Sequence, residues 1–215
     1  MKNLFTQFSR ISMAMVFVVF AVSCESDQDE LNAELNKNST ILDLISSENA
    51  RKGAPKKGDE TIATLADVND NFDELYKAVV YVSQNTDTNV AALLSGNDQY
   101  TVFAPNDEAF QNLYDTLEGL LGVEEVTSLE VLPADYVLEV LLYHKTDGRR
   151  AANSVVPKTE NNKTSETLLP ENTFEVNSDK MVLANLNEGD IVLPNVSASN
   201  GIIHGINVVM LPYLP

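Results

Sequence analysis

Cysteine occurs once in the 215 residues, at position 24. A lone cysteine in the leader region leaves the rest of the chain without an internal disulfide or a thiol nucleophile, so stability has to come from a hydrophobic core. Basic residues are also scarce, 14 Lys and Arg against 32 Asp and Glu. Nucleic acids and anionic membrane surfaces are met by basic stripes that release counterions, and this balance excludes both as partners. The acidic excess is read as a means of staying soluble. Histidine occurs only at positions 144 and 204. A metal site would need a third ligand and a spacing such as i, i+4, and the sequence has neither. No Gly-x-Ser-x-Gly elbow, Arg-Gly-Asp triplet or internal repeat is present. The sequence therefore assigns no catalytic residue, metal or cofactor. His144 and His204 are expected to be partly buried, hydrogen-bonded structural residues, with a ligand or general-base role as the alternative.

Long apolar runs are missing as well. Residues 11–22 are apolar apart from Ser12, and Lys2 and Arg10 are the only charges before them. Twelve residues fall short of the roughly 20 that a spanning helix needs, so the segment reads as a cleaved export signal. Ala21, Val22, Ser23 and Cys24 resemble a bacterial lipobox, which implies acylation of Cys24 and a lipid anchor. An ordinary secretory signal with an incidental cysteine is the alternative. Without the signal the chain has 12 basic and 32 acidic residues, a formal charge of −20. Glu25, Asp27, Asp29 and Glu30 form a solvated tether that also resembles the acidic signals sending some lipoproteins to the outer face of the outer membrane. Gly53, Pro55 and Gly58, among like charges, mark a linker. The organisation expected is a signal over 1–23, an acidic tether and linker over 24–59, and one domain over 60–215. A domain of about 150 residues buries about 70% of its unfolded surface, enough for its own core.

Within that domain, Ile62 and Leu65, then Phe72, Leu75, Tyr76, Val79 and Val82, recur at helical steps, with residues 69–71 expected to cap the second helix. Asp67, Asn69, Asn71 and Asp73 imitate the start of a calcium loop, but Phe72 stands where its glycine should be and Ala78 where its glutamate should be. Residues 89–95 read as a short helix before Gly96. Thr101 and Phe103 face one way and Val102 the other, the pattern of a strand, which Pro105 ends and Asn106 caps into a helix. Asp107 and Glu108 suit the helix dipole, and Phe110, Leu113, Tyr114 and Leu117 form its apolar face. Pro133 opens another helix, after which Leu142, Tyr143 and His144 turn extended. Residues 152–166 read as a surface loop with one short element. Residues 173–176 and 181–183 form a hairpin, Gly189 and Asp190 punctuate the stretch after it, and Asn200 and Gly201 form a turn that tolerates positive φ. The apolar run beyond that turn, 202–206 and 208–211, suits a central strand buried on both faces.

Three segments in order carry a family resemblance. The stretch from Tyr100 through Thr101, Phe103, Pro105 and Asp107 to Phe110 resembles the first signature of the fasciclin domain; Tyr143 and His144 resemble its Tyr-His motif; Asn200, Gly201 and His204, with residues 208–212, resemble its closing signature. The resemblance covers about residues 60–213. It implies an α+β single domain, a twisted β-sandwich or wedge with several helices packed along it. His144 is expected to tie the Tyr-His strand to the junction near Thr101 and Asp107. The resemblance also implies a non-catalytic binding module; with the lipobox and the acidic signal, the expectation is a monomer held by its lipid anchor at the cell envelope, in the outer membrane, with either leaflet open. Its contacts would be adhesive, to an unidentified protein or polysaccharide ligand. A periplasmic scaffold and an envelope enzyme using His144 or His204 are the alternatives. In some animal members, integrin adhesion is attributed to the Tyr-His segment and to a Pro-Asp-Ile element. Tyr143 and His144 match the first, but the second reads Pro194, Asn195, Val196, without the carboxylate an integrin metal needs. Residues 188–191 look similar but are out of register.

Overall fold

Alternation in the first signature segment builds β1, Tyr100–Pro105, and both of its faces are buried. Val102 and Ala104 point into one hydrophobic cluster and Phe103 into another. The computed structural model describes residues 57–215, without the side chains of 91–93. The export signal, Cys24, the acidic tether and nearly all of the linker lie outside the described residues.

The helices come as their periodicity predicts. Thr61 caps α1 (Ile62–Asp67) by accepting the Thr64 N–H. The second helix, α2 (Asp73–Asn85), turns Leu75, Ala78, Val79 and Val82 inward, and α3 (Val90–Ser95) follows. Asn106 caps α4 (Asp107–Leu121) by accepting the Ala109 N–H at 3.0 Å, and Gly122 ends it at φ 67°. There the left-handed region suits a residue without Cβ. A 3₁₀ turn, Leu129–Val131, precedes α5 (Ala134–Tyr143). Here one expectation is corrected: Tyr143 ends the helix and His144 follows at φ −79°, ψ 0°, so the Tyr-His pair is not extended. The chain becomes a strand only at β2, Lys145–Asp147. Tyr136, Val137, Val140 and Tyr143 lie at helical spacing and are all buried, which keeps this stretch helical to its end.

Residues 152–166 hold more structure than a surface loop, α6 (Ala152–Val155) with Val155 buried and β3 (Lys163–Glu166). The hairpin of β4 (Thr173–Val176) and β5 (Met181–Leu183) forms as expected. Gly189 and Asp190 do not interrupt the chain; they lie inside β6 (Glu188–Ala198). Strand β7 is Gly201–Ile206, buried throughout. Beyond it residues 209–211 are buried without regular structure. Side chains replace the missing ladder, since the Met210 N–H donates to the His144 ring and the Leu211 N–H to Asn187 Oδ1.

The seven strands run in the order β2-β1-β7-β6-β5-β4-β3. Among the described strands only β1 and β7 pair in parallel. The long β6 serves both halves of the sheet, and its register against β7 shifts on either side of Leu193, where Pro194 sits at the irregularity a proline needs in a strand. The sheet curls until the Leu168 N–H, just after β3, reaches the Lys145 carbonyl of β2 at 2.8 Å. Two cores result. One lies between the helices and the outer face of β1 and β7; the other, with Phe103, Tyr143, Phe174, Ile206 and Met210, fills the inside of the curl.

Candidate functional site

Both histidines sit in the core, at 2% exposure for His144 and 0% for His204. The Nδ1 of His144 lies 2.7 Å from the Val140 carbonyl, so it carries the proton and donates. Its Nε2 accepts the Met210 N–H at 2.9 Å, and its own carbonyl accepts the Phe103 N–H at 2.9 Å. One residue thus closes the end of α5, joins it to β1 and fixes the terminal segment. His144 reaches the signature junction through Phe103, while the side chains of Thr101 and Asp107 serve other partners.

At His204 the roles of the ring nitrogens are reversed. Nε2 donates to the Arg150 carbonyl at 3.0 Å and Nδ1 accepts the Asn195 N–H at 3.2 Å. Its ring lies 5.3 Å from that of Phe103, the residue opposite it in the β1–β7 register. Burial pushes both imidazoles down to about 4, opposed in each case by the bond to a backbone carbonyl. Each ring is therefore neutral at neutral pH, with both nitrogens engaged. A general base or a metal ligand needs a lone pair turned toward solvent or substrate, and neither histidine has one.

Of the other named signature residues, Thr101, Phe103, Pro105, Tyr143, Asn200 and Gly201 are also buried, and Asp107 is half-buried. Thr101 Oγ1 donates to the Gly148 carbonyl and accepts the Arg150 N–H. Tyr143 Oη donates to the Thr173 carbonyl at 2.9 Å and accepts the Asn185 N–H at 3.1 Å. Asn200 accepts the Ile62 N–H and donates to the Leu94 carbonyl through its side-chain amide and offers its backbone carbonyl to the Tyr100 N–H, joining α1, α3 and β1 at one residue. Asp107 reaches across to α2 and accepts the Glu74 N–H at 2.9 Å. That bond corrects a second expectation: α2 is capped from α4 rather than by residues 69–71, where Asn69 instead turns back on Asn71. Burial raises the Asp107 carboxyl, and the Glu74 N–H counters it. Neither Asn200 nor Gly201 has positive φ. Gly201 is needed for close approach instead, because a Cβ there would lie 2.1 Å from the Tyr100 carbonyl oxygen.

Several structural residues left no signal in the sequence. Asn195, in the place of the animal carboxylate, has φ 68° and accepts the Ala152 N–H through Oδ1 at 2.7 Å. Arg149 donates to the carbonyls of Ala198 and Gly201 and to Ser197 Oγ, clamping the β6–β7 turn. Lys145, also buried, holds its Nζ 3.4 Å from the centre of the Tyr100 ring; burial lowers it to about 8, with Asp98 and Asp147 holding it up. None of these partners could be named from spacing, since each comes from a distant part of the chain.

With the signature side chains turned inward, an open groove of about 460 Å³ lies beside α4. Leu120 of α4, Leu186 and Leu214 line it and are about half exposed, with Asn112, Glu188 and Asn207 supplying polar atoms. Among the described residues no group of His, Cys, Asp or Glu could hold a metal ion. Nor is any described helix long and apolar enough to cross a membrane.

This arrangement, a curled mixed sheet with helices along one face and polar signature residues spent on internal ties, defines an α+β module of the fasciclin type. Residues 71–212 match the fasciclin domain family model, and the chain belongs to that family. Protein sll1483 from Synechocystis sp. is 31% identical over 153 residues, covering 71% of this chain and 73% of its own. Transforming growth factor-beta-induced protein ig-h3 from Sus scrofa is 28% identical over 152 residues, 70% of this chain but only 19% of its own. A solved FAS1 domain pair from the insect cell adhesion molecule fasciclin I has the same fold at a TM-score of 0.51 and 17% identity, over 73% of this chain and 51% of the pair.

Proposed function

We propose that this chain is a non-catalytic binding module, held at the cell envelope through acylated Cys24, that makes adhesive contacts with a protein or polysaccharide. The observation that carries the reading is the engagement of both ring nitrogens of His144 and of His204 inside the fold. Chemistry needs a reactive group facing a substrate, and these two were the sequence's candidates for one. Binding needs only exposed surface, and the groove beside α4 supplies it. The solved insect relative is described as a cell adhesion molecule, which supports the same reading. The integrin mechanism of animal members does not carry over, because Asn195 lacks the carboxylate and its amide oxygen is engaged by the Ala152 N–H.

The test is protease shaving of intact cells, with a periplasmic control protein and a Cys24→Ala variant alongside. Loss of the native domain while the control survives supports surface adhesion, and the Cys24→Ala form should then be absent from the cell surface. Survival until the envelope is broken overturns the surface reading in favour of a periplasmic scaffold. The half-exposed leucines of the groove favour a protein partner in that case.

A further inference from the structure

Between α1, α2 and α3 and the outer face of the sheet lies a second, smaller cavity of about 90 Å³. Val102 and Ile203 form its floor, Ile62, Ala66 and Val79 its walls, and the junction of α5 and β2 closes one end. Almost no polar atom faces it. Two of the polar residues on its lining turn their heteroatoms elsewhere, His144 toward Val140 and Met210 and Lys145 toward the Tyr100 ring, and the third, Tyr76, is half exposed. A water molecule needs two to four polar partners, and this space does not offer them, so it is a dry site that favours hydrocarbon.

We propose that this cavity binds the end of an unbranched alkyl chain. A dry apolar cavity of about 150 Å³ holds benzene. At about 90 Å³ this one is smaller, and its volume suits a few carbons of a chain better than a ring. Tyr76, 46% exposed, is the most exposed of the lining residues and marks the mouth, past which the rest of the ligand would leave toward solvent. The site is separate from the groove beside α4 and does not depend on the adhesion reading.

The chain end could belong to a free amphiphile or to a phospholipid, and one experiment separates the two. The full chain, with labelled Ile, Leu and Val methyl groups, is titrated with 1-hexanol, with cyclohexanol and with dimyristoyl phosphatidylcholine vesicles. Saturable shifts at the methyl groups of Ile62, Val79 and Ile203 are expected with 1-hexanol, at an affinity at least tenfold above that for cyclohexanol. The same shifts with vesicles point to a bilayer source, and shifts with 1-hexanol alone to a free amphiphile. Ala66→Leu fills the space and should abolish the shifts. Tyr76→Ala, at an exposed position that leaves the core intact, should speed exchange between free and bound forms. Equal affinity for cyclohexanol, or shifts that never saturate or that spread to Leu120 and Leu214, would overturn the assignment.

Discussion

At Gly201 the constraint is one of volume. A methyl group there would lie 2.1 Å from the Tyr100 carbonyl oxygen and 2.8 Å from Ile62 Cδ1, and the carbonyl belongs to the β1–β7 pairing, which cannot open locally. Gly201→Ala should cost about 3 kcal/mol, measured as a lower urea midpoint at unchanged slope. At His144 the constraint is polar. His144→Ala leaves the Met210 N–H without its acceptor in the core and opens a space beside Val140, a loss of about 3 kcal/mol from the orphaned donor and the cavity together. An unchanged melting temperature in that variant would refute the structural role. Both residues were visible in the sequence as parts of a signature; His144 is the buried, hydrogen-bonded residue the sequence suggested, but at Gly201 the reason differs. The turn signal at Asn200 and Gly201 pointed to positive φ, whereas neither residue adopts it and the crowding comes from a strand a hundred positions earlier.

Among the elements, the most legible was the junction from β1 to α4. Alternation, a proline stop, an Asn cap and an acidic first turn all act within a few residues, so local rules sufficed. The start of α2 was not legible. Its N–H at Glu74 is capped by Asp107, 33 positions on, and no local pattern encodes a cap at that distance. Asp107→Ala should therefore destabilise the domain by about 1 kcal/mol, while Asp107→Asn, which keeps an acceptor oxygen, should cost less. Thermal melts of the two variants check this, and equal losses would show that the carboxylate acts through its charge instead. The end of α5 escaped for a similar reason. The helical conformation is favoured by a distant partner, Phe174, whose ring packs edge-on to that of Tyr143 with centres 6.3 Å apart.

For the whole molecule, two buried neutral imidazoles make stability depend on pH. Both folded values lie near 4, below the ordinary value of 6.5, so between these limits the unfolded chain binds more protons than the folded one. The contribution of the two histidines should be at its full value above pH 6.5 and fall as the pH drops toward 4, by about 3 kcal/mol for each. Urea midpoints across that range check it, and His204→Asn, which removes one titrating group, should flatten the slope by about half.

The sequence by itself determined what depends on near neighbours: the order of the elements in the signature segments, the buried central strand, the need for a core without disulfides, and the family. Tertiary structure alone decided where the polar atoms of those segments go. Asn200 joins residues 62, 94 and 100, and His204 meets Arg150, 54 positions away. Such partners exist only once the sheet has curled and the helices have docked. A hydrogen bond in the core is worth making because the packed surroundings have removed water, and no stretch of sequence shows which distant group will stand there in its place.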